Sequence, residues 1–187
     1  DVKSFELEPP KDIEPQFKAG QFVTVRHEID GVPEVRTYTV SSAPSDQTIR
    51  ISVKRDGRFS RSIHAHLHVG STIEARAPAG DFYLNPKKPA VFVAGGIGVT
   101  PMISMIREGF FRSIKYREPQ QMVLFYQMRD EGQFTFQDEL RELEDLMEGE
   151  LRVVKLFSSE LATDSADADY KGHLNREILS AELPLKD

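Results

Sequence analysis

The 187 residues carry 24 lysines and arginines against 30 aspartates and glutamates, a formal net charge of −6, which argues against a general nucleic-acid binder with its basic footprint. Hydrophobic residues make up 39% and charged residues 29%, enough apolar content for a packed core and outside the range of disordered chains. With no cysteine, these residues hold no disulfide framework, no Cys-ligated zinc and no iron–sulfur cluster of their own.

The longest apolar stretch, Ala90 to Val99, is ten residues with three glycines, about half of the ~20 needed to span a bilayer. No secretory signal is legible, and the expected location is the cytoplasm. The chain begins at Asp1 rather than Met, which suggests a fragment or a processed chain.

Residues 3 to 84 read as short alternating strands separated by turn signals. From Gly20 to Arg26, Val23 and Val25 alternate with Phe22, Thr24 and Arg26, and the hairpin dipeptide Asp30-Gly31 leads into Val35 to Ser42. From Thr48 to Lys54, Ile49, Ile51 and Val53 share one face, and Arg50, Ser52 and Lys54 the other. Strands at this spacing, with one short helix, predict a closed or nearly closed antiparallel β-barrel over residues 1–86. Pro86 to Pro89 is the expected linker.

The period then changes. Ala90 to Ala94 reads as a parallel strand buried on both faces, entering a glycine-rich turn and an apolar helix, Met102 to Phe111. Met122 to Gln127 and Leu151 to Phe157 are two further apolar strands, with Phe136, Leu140, Leu143 and Met147 at helical spacing between them. Ser158 to Asp169 reads as a polar loop, and Leu174 to Leu183 as a weaker helix burying Ile178 and Leu179. Strand and helix in alternation predict a parallel α/β domain over 90–187. The last helix has no strand after it to cross over to, so this domain is expected to be incomplete at its C-terminus.

Three segments have the residue types for chemistry. In Arg36-Thr37-Tyr38-Thr39, strand alternation puts a cation and a flat aromatic ring on one face. That arrangement suits a large planar anion, and also an ordinary exposed cross-strand pair. Lys54 to Arg61 holds four basic residues around Gly57, with Ser60 placed to cap a helix whose buried face is Ile63 and Leu67. A helix N-terminus among arginines is a phosphate site, or a solvated basic loop. Gly95-Gly96-Ile97-Gly98 joins strand to helix, with Thr100 in the N-cap position and Pro101 at the first helical position. It departs from G-x-G-x-x-G by having Pro101 at the third glycine, and no Gly-Lys-Ser/Thr follows. A dinucleotide turn and simple helix–strand packing both remain open.

Other clusters read as structural. His64, His66 and His68 lack a third ligand, so no metal site is expected, and Ser60 with His64 lacks the acidic orienter of a hydrolase. The acidic residues between Asp138 and Glu148 read as a solvated helix face, with docking of a basic partner as the lesser alternative.

In their order and spacing these segments resemble the ferredoxin reductase-like flavoproteins. Arg36-x-Tyr38-Thr39 is similar to that family's Arg-x-Tyr-Ser/Thr flavin motif, and Ser52-Val53-Lys54-Arg55 with Gly57-x-x-Ser60 to its phosphate-binding segment. Ala77-Pro78-Ala79-Gly80-Asp81-Phe82 resembles the motif that closes the barrel, and Gly95 to Pro101 the pyridine-nucleotide motif. The pattern is nearest to the reductase portion of flavohaemoglobins and related multidomain oxidoreductases.

The resemblance implies a flavin-binding antiparallel β-barrel (1–86) followed by an NAD(P)-binding α/β domain (90–187). The flavin is FAD, with FMN as the alternative, held noncovalently; NADH or NADPH is the cosubstrate. Arg36 would neutralise flavin phosphate, Tyr38 would lie against the isoalloxazine or ribityl chain, and Thr39 would hydrogen-bond near flavin N5. Val53 and Lys54 would contact the flavin, while Gly57, Phe59 and Ser60 would form the phosphate turn. Gly96, Gly98, Thr100 and Pro101 would receive the nicotinamide nucleotide, and Tyr38, Thr39 and Thr100 would stand at the reacting atoms.

The implied activity is hydride transfer from NAD(P)H to flavin. Single electrons then pass to a ferredoxin-type iron–sulfur or haem acceptor, fused or separate. Family members carry a Cys-Gly-Pro-like segment that has no counterpart in this sequence. The alternative is a flavin-binding or regulatory module without turnover.

Overall fold

The computed structural model describes residues 1–46, 48–85, 87–159 and 168–183. Compactness divides the chain into two units: Asp1–Lys88 with Thr100–Gln120, and Pro89–Val99 with Gln121–Asp187.

The first unit is two antiparallel sheets closing on one core. Strand β1 (Val2–Leu7) pairs with β4 (Ile49–Lys54), and β2 (Phe22–Ile29) lies between β3 (Val32–Thr39) and β5 (Glu74–Ala79). An isolated bridge between Val40 and Ile51 joins the two sheets, so the unit is barrel-like. The expected alternation appears in β2, where Val23 and Val25 are buried and Arg26 is exposed. These valines pack with Ile51 and Val53 of β4 and with Phe59, Ile63 and Leu67, the buried face of helix α1 (Gly57–His66) and its C-cap. Each such fully buried side chain stabilises the fold by about 1.5–3 kcal/mol.

The second face of β4 departs from expectation. Ser52 is buried, and its hydroxyl lies 2.8 Å from that of Ser4 and 2.9 Å from that of Ser41. Arg50 is half-buried and donates to the Ser41 carbonyl at 2.7 Å. Mutually satisfied hydroxyls let a polar face be covered, which alternation alone does not announce.

Helix α2 (Thr100–Tyr116) is longer at both ends than its apolar pattern suggests. Within the first unit it is tied to the loop after β3. Ser104 donates to the Ser42 carbonyl at 2.6 Å, and Arg107 forks onto Asp46 at 3.0 and 2.6 Å.

The second unit is a parallel sheet in the order β6 (Ala90–Gly95), β7 (Met122–Met128), β8 (Leu151–Phe157) and β9 (Tyr170–Lys171). Two of its features differ from the sequence reading. β6 is an edge strand with one face open, Val91 and Val93 being 51% and 54% exposed, so its apolar run does not reflect burial on both sides. The short strand β9 follows directly on the segment read as loop, Ser158 to Asp169, in residues for which the sequence reading expects no element; most of that loop lies outside the described residues.

Helix α3 (Gln137–Leu146) buries Leu140 and Leu143 as expected, and α4 (Arg176–Glu182) buries Ile178. Two residues of a strand pair weakly, so side chains hold this end of the sheet. Gln127 donates to the Gly172 carbonyl at 3.0 Å and accepts from Leu174 N–H at 3.1 Å. Arg152 on β8 pairs with Asp169 at 2.7 Å and with Glu182 at 3.5 Å. Asn175 caps α4, its side chain accepting from Ile178 N–H at 2.9 Å.

Candidate functional site

The residues singled out fall into two groups, one in each unit, with Thr100 and Pro101 starting the helix that follows the glycine turn.

On β3, Glu34, Arg36 and Tyr38 share a face, as the two-residue period requires. Across the ladder Arg36 lies opposite Val25 and Tyr38 opposite Val23, which directs both side chains to the core side of the hairpin. There they meet Phe59. Its ring is buried, the Arg36 guanidinium lies 5.5 Å above its centroid, and the Tyr38 ring is 6.1 Å away, tilted by 35°. Arg36 is exposed and donates to the Val35 carbonyl at 2.7 Å and to Glu34 at 3.1 Å. Burial pushes the Tyr38 phenol above its ordinary range, partly offset by the Arg36 charge, so Tyr38 is a neutral donor at physiological pH. Thr39, half-buried, ends the strand.

The basic segment folds differently from its reading. Ser60 is not the cap. Gly57, at φ +80°, turns the chain into α1 three residues earlier, with Asp56 as the N-cap and no side-chain cap bond from it. A left-handed φ costs an L-residue about 1–2 kcal/mol, which is why glycine stands there. The Ser60 hydroxyl is buried, accepts from Asp56 N–H at 2.8 Å and donates back to the Asp56 carbonyl. The first turn of α1 carries no acidic side chain, and the exposed Arg58 pairs with Asp30 and Glu34, each at 3.0 Å. Val53 is core, its carbonyl accepting from His64 at 2.8 Å, while Lys54 is exposed at the strand end. Two further histidines are engaged locally: His66 Nδ1 lies 2.9 Å from the Ser62 carbonyl, and His27 Nε2 3.0 Å from the Ser62 hydroxyl.

In the second unit, a 3-10 turn from Gly96 to Val99 leaves the end of β6 and runs straight into α2. Thr100 is therefore the first α-helical residue rather than an N-cap, because the chain is already wound when it reaches it. Pro101 follows inside the first turn, where its missing N–H has no intrahelical acceptor to lose. Gly98 is exposed, and a Cβ built there meets no atom within 4 Å. Its lack of a side chain is not explained by packing, and it leaves backbone open to close approach by a ligand.

The sequence reading missed two side chains. Glu34 bridges Arg36 and Arg58 while only 17% of its side chain is exposed; strand alternation from Arg36 was the available signal. Tyr126, on β7, is fully buried and donates to the Gly96 carbonyl at 3.0 Å. Burial pushes its phenol up to about 12, against hydrogen bonds from Thr135 that act the other way. A tyrosine inside an apolar strand requires a partner for its hydroxyl, which was the signal for it.

Comparison with known proteins matches residues 1–83 to the oxidoreductase FAD-binding domain family and residues 92–187 to the oxidoreductase NAD-binding domain family. The chain is 34% identical over 189 residues to a flavohemoprotein of Pseudomonas aeruginosa, covering 98% of this chain and 46% of that protein. It is 32% identical over 189 residues to the glycine betaine monooxygenase reductase subunit of Pseudomonas aeruginosa, covering 98% and 50%. Among solved structures it resembles the flavohem-like FAD/NAD-binding domain of nitric oxide dioxygenase from Vibrio cholerae, with a TM-score of 0.81 and 26% identity over 98% of this chain and 76% of that one. The chain spans about half the length of the curated relatives it matches.

Proposed function

The chain belongs to the oxidoreductases that join a FAD-binding domain to an NAD-binding domain, and from that premise we propose that it is the reductase module of an electron-transfer protein. It takes a hydride from NADH or NADPH onto noncovalently bound FAD. Single electrons then go to a haem or iron–sulfur acceptor on a fused domain or a partner protein. The relatives, a flavohemoprotein and a monooxygenase reductase subunit, support both forms of acceptor. We place the reaction in the cytoplasm, where the NAD(P)H pool lies; among the described residues no helix is long and apolar enough to cross a membrane.

The observation that carries the reading is the stack of Arg36, Phe59 and Tyr38 beside the N-terminus of α1, with the open backbone of Gly98 in the second unit. These residues fit the two cofactors: a cation and two rings for a planar anion, and a helix start for phosphate. FAD, when bound, supplies the hydride acceptor and the means of releasing electrons singly.

The chain's part is to bind and orient. Arg36 gives a fork of donors to flavin phosphate, and Tyr38 offers a ring and a hydroxyl. Thr39 supplies a hydroxyl at the strand end, Lys54 a cation, and the Gly57 to Ser60 turn its backbone N–H groups, with Phe59 and Ser60 shaping the turn from inside. Val53, being core, supports this contact surface through its backbone. Gly96, Gly98, Thr100 and Pro101 form the turn that takes the nicotinamide nucleotide. In this proposal residues 1–86 are the flavin domain and 90–187 the nucleotide domain.

The test is steady-state reduction of ferricyanide by flavin-loaded full-length protein. Saturable turnover with NADH or NADPH is expected. Loaded protein that turns over neither nucleotide contradicts the proposal.

A further inference from the structure

Gly96 and Tyr126 lie thirty residues apart in sequence, yet one hydrogen bond joins them at the end of the parallel sheet. Gly96 has φ +49°, in the left-handed region that glycine enters without steric cost, and its carbonyl faces Tyr126 on β7. There it accepts from the Tyr126 hydroxyl at 3.0 Å. Since the peptide group is planar and trans, fixing that carbonyl also fixes the direction of the N–H of Ile97, which points the opposite way.

The Tyr126 ring is itself immobilised. It is fully buried, and Phe134 meets it edge-on at 5.5 Å and 76°. Phe134 lies in the loop between β7 and α3, so this ring contact joins Tyr126 to that loop. A buried hydroxyl that donates to a fixed carbonyl is costly to leave unpaired.

We propose that Tyr126 is a positioning residue for the nucleotide-binding turn, holding the Gly96 peptide in one orientation and tying that turn to the loop at Phe134. The proposal rests on the reading that the Gly96 to Pro101 turn receives the pyridine nucleotide. Tyr126 touches no reacting atom. Its contribution is to have the turn already ordered when the pyrophosphate arrives, so its loss acts on binding and not on the hydride step.

The test is Tyr126→Phe, which keeps the ring and removes only the hydroxyl, in flavin-loaded full-length protein. The KM for NAD(P)H is expected to rise about five- to tenfold, the scale of one buried hydrogen bond, with kcat within about twofold and the flavin spectrum unchanged. A fall in melting temperature with unchanged KM shows a purely structural role and overturns the proposal. Gly98→Val, whose Cβ meets no protein atom within 4 Å, is the control on the underlying reading. If it raises KM and Tyr126→Phe does not, only the role of Tyr126 fails. If Gly98→Val leaves KM unchanged, the turn is not the nucleotide site and the proposal falls with that reading.

Discussion

Arg36 combines an exposed guanidinium with a fixed location, because the Phe59 ring beneath it and Glu34 beside it restrict where the fork can go. Arg36→Ala should weaken flavin binding by about 1.5–3 kcal/mol, the scale of a hydrogen bond to a charged group. Arg36→Lys should recover part of that, since an ammonium is a point charge without the fork. Fluorescence titration of flavin into the stripped protein measures both. Arg26→Ala, which removes an exposed pair with Glu74, should leave affinity unchanged. Equal affinity in wild type and Arg36→Ala contradicts the assignment. Strand periodicity sufficed to place Arg36 and Tyr38 on one face. It did not reveal Phe59 between them, because that contact joins a strand to a helix twenty residues later.

At the scale of elements, polar side chains hold the sheet where strand pairing is shortest. Asn175 supplies the cap of α4, and Asn175→Ala should destabilise that helix by about 1 kcal/mol. Hydrogen exchange should show the loss in Arg176–Glu182 ahead of β7 and β8. Tyr126 makes a second prediction. Its phenol titrates near 12 in the folded state, above the ordinary value of 10, so its contribution is fully present below about pH 10 and is lost as pH rises toward 12. Between those limits wild type should lose more stability than Tyr126→Phe in denaturant melts. Parallel losses would show that the buried phenol is not the linked group.

The elements themselves were largely legible. Apolar runs located β7 and β8, and the three- and four-residue spacing of Phe136, Leu140, Leu143 and Met147 located α3. The two-residue strand β9 has too few residues for any period to show, and the open face of β6 depends on what packs against Val91 and Val93, which no local pattern encodes. The helix starts at Gly57 and Thr100 were misplaced for one reason. Side-chain capping rules were applied where backbone turns at glycine begin the winding instead.

At the scale of the whole molecule, the proposed flavin-site residues and the Gly96 to Val99 turn lie in separately compact units, and in the proposed function the chain contributes orientation while the cofactors contribute the redox chemistry. The division of labour predicts that changes at the glycine turn leave flavin spectra intact, and that changes at Arg36 leave nucleotide affinity intact in protein that retains flavin. The most direct measurement is an anaerobic single-turnover experiment on the full-length protein loaded with FAD, following flavin absorbance near 450 nm, the ordinary flavin band, as NADH or NADPH is mixed in. The account predicts bleaching that saturates with nucleotide concentration and that Gly98→Val shifts to higher concentration. Bound flavin that stays oxidised with both nucleotides contradicts it.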